Sequence, residues 1–223
     1  MVLLPFKDRN SAGDQLAHVL GSYRGRAGLL VVGLPRGGVP VAARVAEQLD
    51  VALDVMVVRK LGTPGHEELA MGAIASGGVR VINDEIVGYM DIDQETIEIV
   101  TAREREELER RERVYRRKYK KINLEDRNVI LVDDGLATGT TMMAAVQSAR
   151  HEGASTLIVA VPVAPQDTIN ALYNAADEVV CLKTPEPFSG VGMWYDDFCQ
   201  TSDEEVMALL KKARYRMREV RKQ

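Results

Sequence analysis

The sequence predicts an α/β fold built on a doubly wound parallel sheet. Short apolar segments bounded by glycine or polar residues alternate along the chain with longer segments in which apolar residues recur at helical spacing. A segment that is apolar on both faces and too short for a helix is typical of a strand buried in a parallel sheet. The alternation of such strands with helices therefore predicts a sheet that is covered by helices on both faces.

The composition is that of an ordinary folded protein. Hydrophobic residues make up 46% and charged residues 28% of the 223 positions, which argues against disorder and against a disulfide scaffold. The net charge of -4 gives no general attraction to nucleic acid, so nucleic acid is not an expected partner. No segment approaches the roughly 18 apolar residues that cross a bilayer, and the first residues do not resemble a signal peptide. Cys181 and Cys199 match no zinc site, so we expect two free thiols. These features together predict a protein with no membrane partner and a cytoplasmic location.

The first half of the chain predicts a parallel β-α-β unit followed by a hairpin. Pro40 suits the first turn of a helix, and the apolar segments on either side of that helix are too short to be helices themselves. The segment 61–68 has no periodicity and contains two glycines and a proline, so it is predicted to be a mobile loop. The predicted elements are a helix over 8–20, strands over 28–33 and 53–58, a helix over 40–49, and a hairpin over 69–75 and 79–82.

A highly charged segment over 93–122 predicts one long helix. Its apolar residues recur at helical spacing on a single stripe, made of Ile97, Val100, Leu108, Tyr115, Tyr119 and Ile122. We expect this stripe to be buried, either against the rest of the domain or in the seam of a homodimer, which is the expected assembly. Between 103 and 121 the chain also carries ten basic and five acidic residues, and such charged runs most often form a solvated face.

The second half of the chain alternates strands with helices and ends in a helix. Ser202 and Glu205 form a capping box before an apolar helical stripe, so the last helix should dock on the domain. The predicted strands span 128–132, 156–163 and 178–182, with helices over 141–152 and 166–175 between them. We expect one domain over 1–223, with 90–122 as a long helical insertion and 184–223 as a C-terminal hood and helix.

The strongest functional signal is the segment VILVDDGLATGTT at 129–141. An apolar strand leads to two acids and then to a hydroxyl-rich turn that enters a helix, and the carboxyl end of a strand is where such sheets bind ligands. Gly139 allows close approach of the backbone, and the helix N-terminus with the hydroxyls of Thr138, Thr140 and Thr141 suits a phosphate group. The alternative is a strand, a turn and a helix cap with no ligand.

Two adjacent carboxylates, Asp133 and Asp134, precede this phosphate-binding turn. Because they would repel phosphate, they make better sense as partners of sugar hydroxyls or of Mg²⁺. The whole segment resembles the motif by which the type I phosphoribosyltransferase family binds phosphoribosyl pyrophosphate (PRPP). The resemblance implies that the two acids act in catalysis, bind the ribose hydroxyls and contact Mg²⁺ only indirectly, and that the 5′-phosphate is bound by Ala137, Thr138, Gly139, Thr140 and Thr141.

A second candidate turn, made of Pro35, Arg36, Gly37 and Gly38, follows the first predicted strand. Its glycines expose backbone N–H groups at the start of a helix, and a guanidinium group binds phosphate oxygens in bidentate fashion. The turn resembles the pyrophosphate-binding loop of the same family, and it stands one β-α-β unit upstream of the PRPP motif, as it does in that family. A purely structural turn is the alternative.

Arg59 and Lys60 end the second predicted strand and precede the predicted mobile loop. Their resemblance to a pair in orotate-type members of the family implies catalytic residues beside a loop that closes over the site and excludes water. The alternative is a solvated basic strand end. His66 in that loop is a candidate acceptor contact, although a single loop histidine is more often a surface residue.

The acceptor is the least constrained part of the resemblance. The family transfers the phosphoribosyl group of PRPP, with Mg²⁺, to a small nitrogenous acceptor and releases pyrophosphate. Family members that act on 6-oxopurines have an acid where this chain has Ala137, which argues against hypoxanthine or guanine. Trp194 in the hood could stack on a planar acceptor, or it could pack against the last helix. A second function stays open, a PRPP-sensing regulator that acts on nucleic acid or on a protein.

Overall fold

A computed structural model describes residues 4–117 and 120–220, apart from the side chains of Glu68, Glu219 and Val220. The strands are β1 Leu29–Gly33, β2 Ala52–Val55, β3 Val58–Thr63, β4 His66–Ala75, β5 Arg80–Ile82, β6 Asn128–Val132, β7 Thr156–Val163 and β8 Glu178–Lys183. The helices are α1 Arg9–Val19, α2 Gly38–Leu49, α3 Asp84–Tyr89, α4 Gln94–Arg116, α5 Thr140–His151, α6 Gln166–Leu172 and α7 Asp203–Val220. Within these residues, five parallel strands form a central sheet in the order β2-β1-β6-β7-β8, and three antiparallel strands form a second sheet in the order β3-β4-β5.

Helices cover both faces of the central sheet. Successive residues of each strand point to opposite faces, so neighbouring residues pack against different helices. On β1, Val31 joins a core with α1, α2, α4 and α7, whereas Leu30 and Val32 join a core with α5 and α6. The same alternation recurs on β6, where Ile130 and Leu131 belong to opposite cores. The predicted doubly wound parallel sheet is therefore confirmed.

The prediction of a mobile loop over 61–68 is wrong, because this segment lies in a hairpin of the second sheet. β3 pairs with β4 across a two-residue turn, with Thr63 opposite His66. The register of this pair shifts on both sides of Gly62, which removes the two-residue periodicity that would have indicated a strand. Leu61 is fully buried, so the hairpin is anchored by apolar packing as well as by its hydrogen bonds.

The predicted strand over 53–58 is divided between the two sheets. β2 ends at Val55 in the central sheet, and β3 begins at Val58 in the second sheet. Arg59 and Lys60 therefore lie on an antiparallel strand and not at the end of a central one. The hairpin that was predicted after the loop is confirmed by β4 and β5.

The long charged helix is shorter than predicted and ends at Arg116. Arg117 has a positive φ of 40°, which is not helical, and Ile122 lies beyond the helix, where its N–H donates to Asp54. Tyr119 lies outside the described residues. The short helix α3 was not predicted, since it is only six residues long and none of its residues is fully buried. α6 ends earlier than predicted.

The apolar stripe of α4 packs within the chain. Ile97, Val100, Leu108 and Tyr115 are at most 6% exposed and belong to the core that α4 shares with β3, β4 and α7. This part of the stripe is thus buried against the same chain. It offers no seam for a second copy.

The C-terminal segment and the last helix pack back on the central sheet. Phe6 bridges Tyr195 in a short parallel pairing, and both rings are buried. The capping box of α7 is present, because the Ser202 hydroxyl accepts from the N–H of Glu205 at 3.1 Å and the Glu205 carboxylate accepts from the N–H of Ser202 at 2.7 Å. The division of the chain into one domain, an insertion and a hood stays a prediction. No helix in the described part of the chain is long and apolar enough to cross a membrane.

The buried carboxylate of Asp54 joins β2 to the end of α4 and to α7. It accepts hydrogen bonds from Arg116 at 3.1 and 3.2 Å and from the N–H of Ile122 at 2.9 Å, and Arg214 of α7 lies 3.9 Å away. Asp54 is 2% exposed, and a charge is tolerated at such a position only when it is paired. The ion pair between Asp54 and Arg116 therefore attaches the C-terminal end of α4 to the central sheet.

We predict that Asp54→Ala lowers the free energy of unfolding by about 3–5 kcal/mol, because it leaves the Arg116 charge buried without its partner. Glu112→Ala is the matched control, since the partly exposed Glu112 lies 4.0 Å from the same guanidinium and its loss should cost less than about 1 kcal/mol. Urea unfolding measures both variants. Equal losses for the two would contradict the role of Asp54.

Candidate functional site

A cavity of about 510 Å³ opens at the carboxyl ends of β1 and β6, and β3 and α4 form its outer wall. Five basic and four acidic side chains line it, namely Arg36, Arg59, Lys60, Arg103, Arg111, Glu67, Glu104, Asp133 and Asp134. Within the described residues, neither Arg36 nor Lys60 takes part in an ion pair. A cavity that contains unpaired cations suits an anionic ligand.

Asp133 and Asp134 leave β6 side by side at the base of the cavity. The Asp133 carboxylate accepts from the N–H of Asp134 at 2.9 Å. Burial raises the pKa of Asp133 well above its ordinary value of 3.8, and the negative charge of Asp134 raises it further. Two carboxylates held this close oppose each other's ionisation, so the pair attracts hydroxyl groups or a cation.

Asp134 is also the point where the first helix and the C-terminal segment meet. Nε of Arg9 lies 2.8 Å from the Asp134 carboxylate, and both side chains are mostly buried. Arg9 donates as well to the carbonyl of Cys199 at 2.7 Å, and its guanidinium lies 4.0 Å from the ring centre of Phe198. The Tyr195 hydroxyl donates to the carbonyl of Asp134 at 2.5 Å. Asp134 is thus held through both its side chain and its backbone.

The turn from Pro35 to Gly38 lies against the two acids. A Cβ atom on Gly37 would stand 2.0 Å from Oδ2 of Asp134, and one on Gly38 would stand 2.8 Å from Cα of Asp133. Glycine at both positions is therefore what lets the turn approach the acids. α2 begins at Gly38, the last residue of the turn, where the N–H groups of Gly38 and Val39 donate to the carbonyls of Leu34 and Arg36, so it is the positive end of the helix dipole that lies at this end of the sheet.

The turn before α5 is the second candidate anion site. Gly139 has a φ of 74°, a conformation that favours glycine, and a Cβ there would stand 2.7 Å from the Thr168 side chain. Thr168 donates to the carbonyl of Ala137 at 2.7 Å and thereby fixes the turn. The hydroxyls of Thr138 and Thr140 lie 3.1 Å apart. With the free N–H groups at the start of α5, they form a set of donors that suits an anion.

Arg59 and Lys60 lie on β3 and line the cavity. Nε and Nη2 of Arg59 lie 2.9 and 2.6 Å from one oxygen of Glu104, which is 9% exposed. Arg103 reaches the other oxygen of Glu104 at 3.3 Å. Lys60 is exposed. Because Arg59 is tied both to a paired strand and to α4, its position is set by the fold and not by a loop.

The structure brings eight of the fifteen predicted site residues to one cavity and three to a neighbouring one, while Gly38 and Ala137 stand in the two turns without lining either. The cavity is lined by Pro35, Arg36, Gly37, Arg59, Lys60, Asp133, Asp134 and Thr141 from the predicted set. A neighbouring cavity of about 480 Å³ beside the hairpin is lined by Thr138, Gly139 and Thr140. His66 and Trp194 line neither cavity, because His66 is exposed at the tip of the hairpin and Trp194 packs on the cluster around Phe6.

Sequence reasoning missed six polar residues of the site, which are Arg9, Glu67, Arg103, Glu104, Arg111 and Tyr195. Three of them belong to the charged run of α4, which resembled a solvated face. The available signal was spacing, because Glu104 and Arg111 fall on the buried stripe of that helix. No sequence pattern connects Arg9 or Tyr195 to the acids.

The two acids also decide whether a metal ion fits the site. In the residues that the structure describes, no group of three or more His, Cys, Asp or Glu side chains could hold a metal ion. Asp133 and Asp134 offer carboxylate oxygens, which Mg²⁺ prefers, and Mg²⁺ usually takes only one or two protein carboxylates beside water and phosphate oxygens. The pair therefore fits a Mg²⁺ ion that arrives with a phosphate-bearing ligand.

Comparison with known proteins gives one consistent relationship. A family model described as "phosphoribosyl transferase domain" matches residues 14–197. A Mycobacterium tuberculosis protein that carries the provisional name phosphoribosyl transferase is 49% identical over 208 residues, which are 93% of this chain and 47% of that protein. The chain thus spans about half the length of the curated relatives it matches. The crystal structure of the protein TT1426 from Thermus thermophilus is 43% identical, with a TM-score of 0.81 over 94% of this chain and 99% of that one.

We predict that Asp133→Asn raises the melting temperature at neutral pH, measured without added ligand. The pKa of Asp133 is raised in the folded state, so its contribution to stability is fully present below its ordinary pKa and is lost as the pH rises through the folded value. Asn keeps an oxygen for the N–H of Asp134 and removes the charge. Each kcal/mol regained is worth about 2–4 °C.

The pH dependence provides the control for this prediction. The gain should disappear below about pH 3, where the carboxyl group is protonated in both the folded and the unfolded chain. Asp196→Asn, which changes an exposed carboxylate, should give no gain at any pH. A melting temperature that Asp133→Asn leaves unchanged at neutral pH would show that the two acids do not repel each other.

Proposed function

The chain belongs to the phosphoribosyl transferase domain family, and on this premise we propose that it transfers the phosphoribosyl group of PRPP to a small nitrogenous acceptor. In this reaction a nitrogen of the acceptor forms a bond to C1 of the ribose while the bond from C1 to pyrophosphate breaks. The observation that carries the proposal is the meeting of the Arg36 turn, the acid pair and Thr141 around one cavity.

Each part of PRPP has a matching group at this end of the sheet. The 5′-phosphate suits the 137–141 turn, where N–H groups and hydroxyls converge. The ribose hydroxyls suit Asp133 and Asp134, which accept hydrogen bonds and repel phosphate. The pyrophosphate suits the 35–38 turn, where Arg36 adds an unpaired positive charge. The 5′-phosphate, the ribose and the pyrophosphate of PRPP therefore each have a matching set of residues.

The reaction needs orientation and charge more than covalent help from the protein. Its transition state has ribosyl-cation character, and the departing pyrophosphate gains negative charge. Arg36, Arg59 and Lys60 supply positive charge on the cavity wall, while Asp133 and Asp134 orient the ribose. β3 and α4 form the outer wall of the cavity and so limit the access of water to the cation from that side.

Mg²⁺ belongs to the proposal as a partner of the donor. When bound to PRPP it neutralises phosphate charge and makes pyrophosphate a better leaving group. Asp133 and Asp134 would hold it indirectly, through the ribose hydroxyls or water, because Mg²⁺ retains most of its water and phosphate ligands. The direct task of the two acids is to accept hydrogen bonds from the ribose.

The acceptor contacts stay predictions within this proposal. Trp194 is partly buried beside Tyr195, which binds the backbone of Asp134. His66 lies exposed at the tip of the hairpin. Trp194 is therefore the better placed of the two to meet a planar acceptor next to the ribose.

A PRPP-sensing regulator is the competing function. A regulator that acts on nucleic acid needs a basic surface, and the basic residues of α4 are the candidates for it. In the structure many of them pair with acids of the same chain, Arg110 and Arg111 with Glu107, Arg113 with Glu109 and Arg116 with Asp54. This pairing leaves less charge for the phosphates of nucleic acid and favours the transferase. A homodimer and a cytoplasmic location stay predictions.

We predict that PRPP with Mg²⁺ raises the melting temperature of the wild-type protein by roughly 5–10 °C. Ligand at about a hundred times its Kd stabilises the native state by roughly 2.7 kcal/mol, and each kcal/mol is worth about 2–4 °C for a chain of this length. Arg36→Ala should reduce the shift sharply and leave the melting temperature of the free protein unchanged, because Arg36 has no ion pair within the described residues. Differential scanning fluorimetry measures both effects.

Two controls separate the proposal from its competitor. Arg113→Ala removes an exposed arginine outside the cavity and should keep the full shift. A panel of nitrogenous acceptors, tested for PRPP-dependent release of pyrophosphate, detects a transferase. A wild-type melting temperature that saturating PRPP and Mg²⁺ do not move would contradict PRPP binding. PRPP binding without pyrophosphate release for any acceptor would favour the regulator.

A further inference from the structure

α4 carries charged residues at two positions where its stripe should be apolar. On the side of α4 that carries this stripe, positions recur after four and then three residues, at Ile97, Thr101, Glu104, Leu108, Arg111 and Tyr115. Glu104 is 9% exposed, and the side chain of Arg111 is 21% exposed. Enclosing a charge costs free energy unless the charge is paired or binds a ligand. Each of the two charges therefore requires a partner.

Glu104 has its partner in the structure, and Arg111 has only part of one. Glu104 binds Arg59 at 2.6 Å and so positions it on the cavity wall. Nε of Arg111 donates to Glu107 at 2.8 Å. Glu107, however, already accepts two hydrogen bonds from Arg110 at 2.6 and 3.0 Å, and these are the largest cause that lowers its pKa to about 2. Glu107 thus accepts from both arginines and uses only Nε of Arg111, so within the described residues the two Nη groups of Arg111 donate no hydrogen bond.

Arg111 shares its surroundings with Arg36. Burial and a hydrogen bond to Asp203 raise the pKa of Tyr115, while the positive charges of Arg111 and Arg36 act in the opposite direction on the same hydroxyl. Both arginines also line the cavity, Arg36 from the turn after β1 and Arg111 from α4. Two guanidinium groups that face one space repel each other unless an anion lies between them.

We propose that Arg111 binds the pyrophosphate group of the donor together with Arg36, so that α4 completes the donor site. This inference rests on the proposed function. Pyrophosphate carries oxygens on two phosphorus atoms, and a planar guanidinium donates two parallel hydrogen bonds to such oxygens. The turn at Arg36 and the helix at Arg111 would then hold the leaving group together, each from its own element of the cavity wall. α4 would accordingly be a part of the binding site.

A matched pair of variants tests this role. Arg111→Ala and Arg110→Ala each remove an arginine that binds Glu107, and only Arg111 lines the cavity. Calorimetry with PRPP, pyrophosphate and ribose 5-phosphate, each with Mg²⁺, measures the affinities. We expect Arg111→Ala to weaken PRPP and pyrophosphate by about 10- to 100-fold, as for the loss of a hydrogen bond to a charged group, and to leave ribose 5-phosphate within about twofold. Arg110→Ala should leave all three within about twofold.

The outcomes separate this inference from the proposed function. A wild-type protein that binds none of the three probes would overturn both. Normal binding of PRPP by the wild type, with equal binding by Arg111→Ala, would overturn the inference alone. An equal loss for all three probes would show a general disturbance of the site and would also overturn it. Arg111→Lys, which keeps the charge without the planar fork, should restore part of the lost pyrophosphate affinity.

Discussion

The candidate site depends on two like charges that the fold forces together at the end of β6. Asp133 and Asp134 follow a buried strand, so they cannot move apart without disturbing the central sheet, and Gly37 and Gly38 bring a second turn directly against them. Burial and mutual repulsion raise the pKa of Asp133, while Arg9 offsets part of the charge of Asp134. An arrangement that costs stability and faces a cavity is typical of a binding site.

The sequence predicted those parts of the site whose chemistry is local. The strand, the two acids and the threonine turn follow one another along 129–141, so one short segment contains both the element and its function. The central sheet was predictable for a similar reason, because strands buried on both faces are apolar throughout. Arg9 was not predictable, since it reaches Asp134 across 125 positions of sequence and only the folded chain brings the two together.

The second sheet and α4 show two different limits of periodicity. In the β3–β4 hairpin the register shifts beside Gly62, so alternation fails although the strands are paired. In α4 the spacing was correct, but Glu104 and Arg111 occupy stripe positions, and a charged residue counts against burial in any pattern of apolar residues. The pattern of apolar residues could not indicate the cavity. A charged residue is favourable at a buried position only where a partner or a ligand binds it.

Asp134 also couples two regions that are far apart in the chain. Its carboxylate binds Arg9 and its carbonyl binds Tyr195, and Arg9 in turn holds the backbone of Cys199. Arg9 donates to one oxygen of this carboxylate, so a sugar hydroxyl that binds the same oxygen would compete with Arg9 and thereby weaken its hold on the C-terminal segment. By thermodynamic linkage, a molecule bound to this segment changes the affinity of the protein for the sugar by some factor. The bound sugar then changes the affinity for that molecule by the same factor. Ligands of the sugar site and of the C-terminal segment would therefore bind with a measurable coupling and not independently.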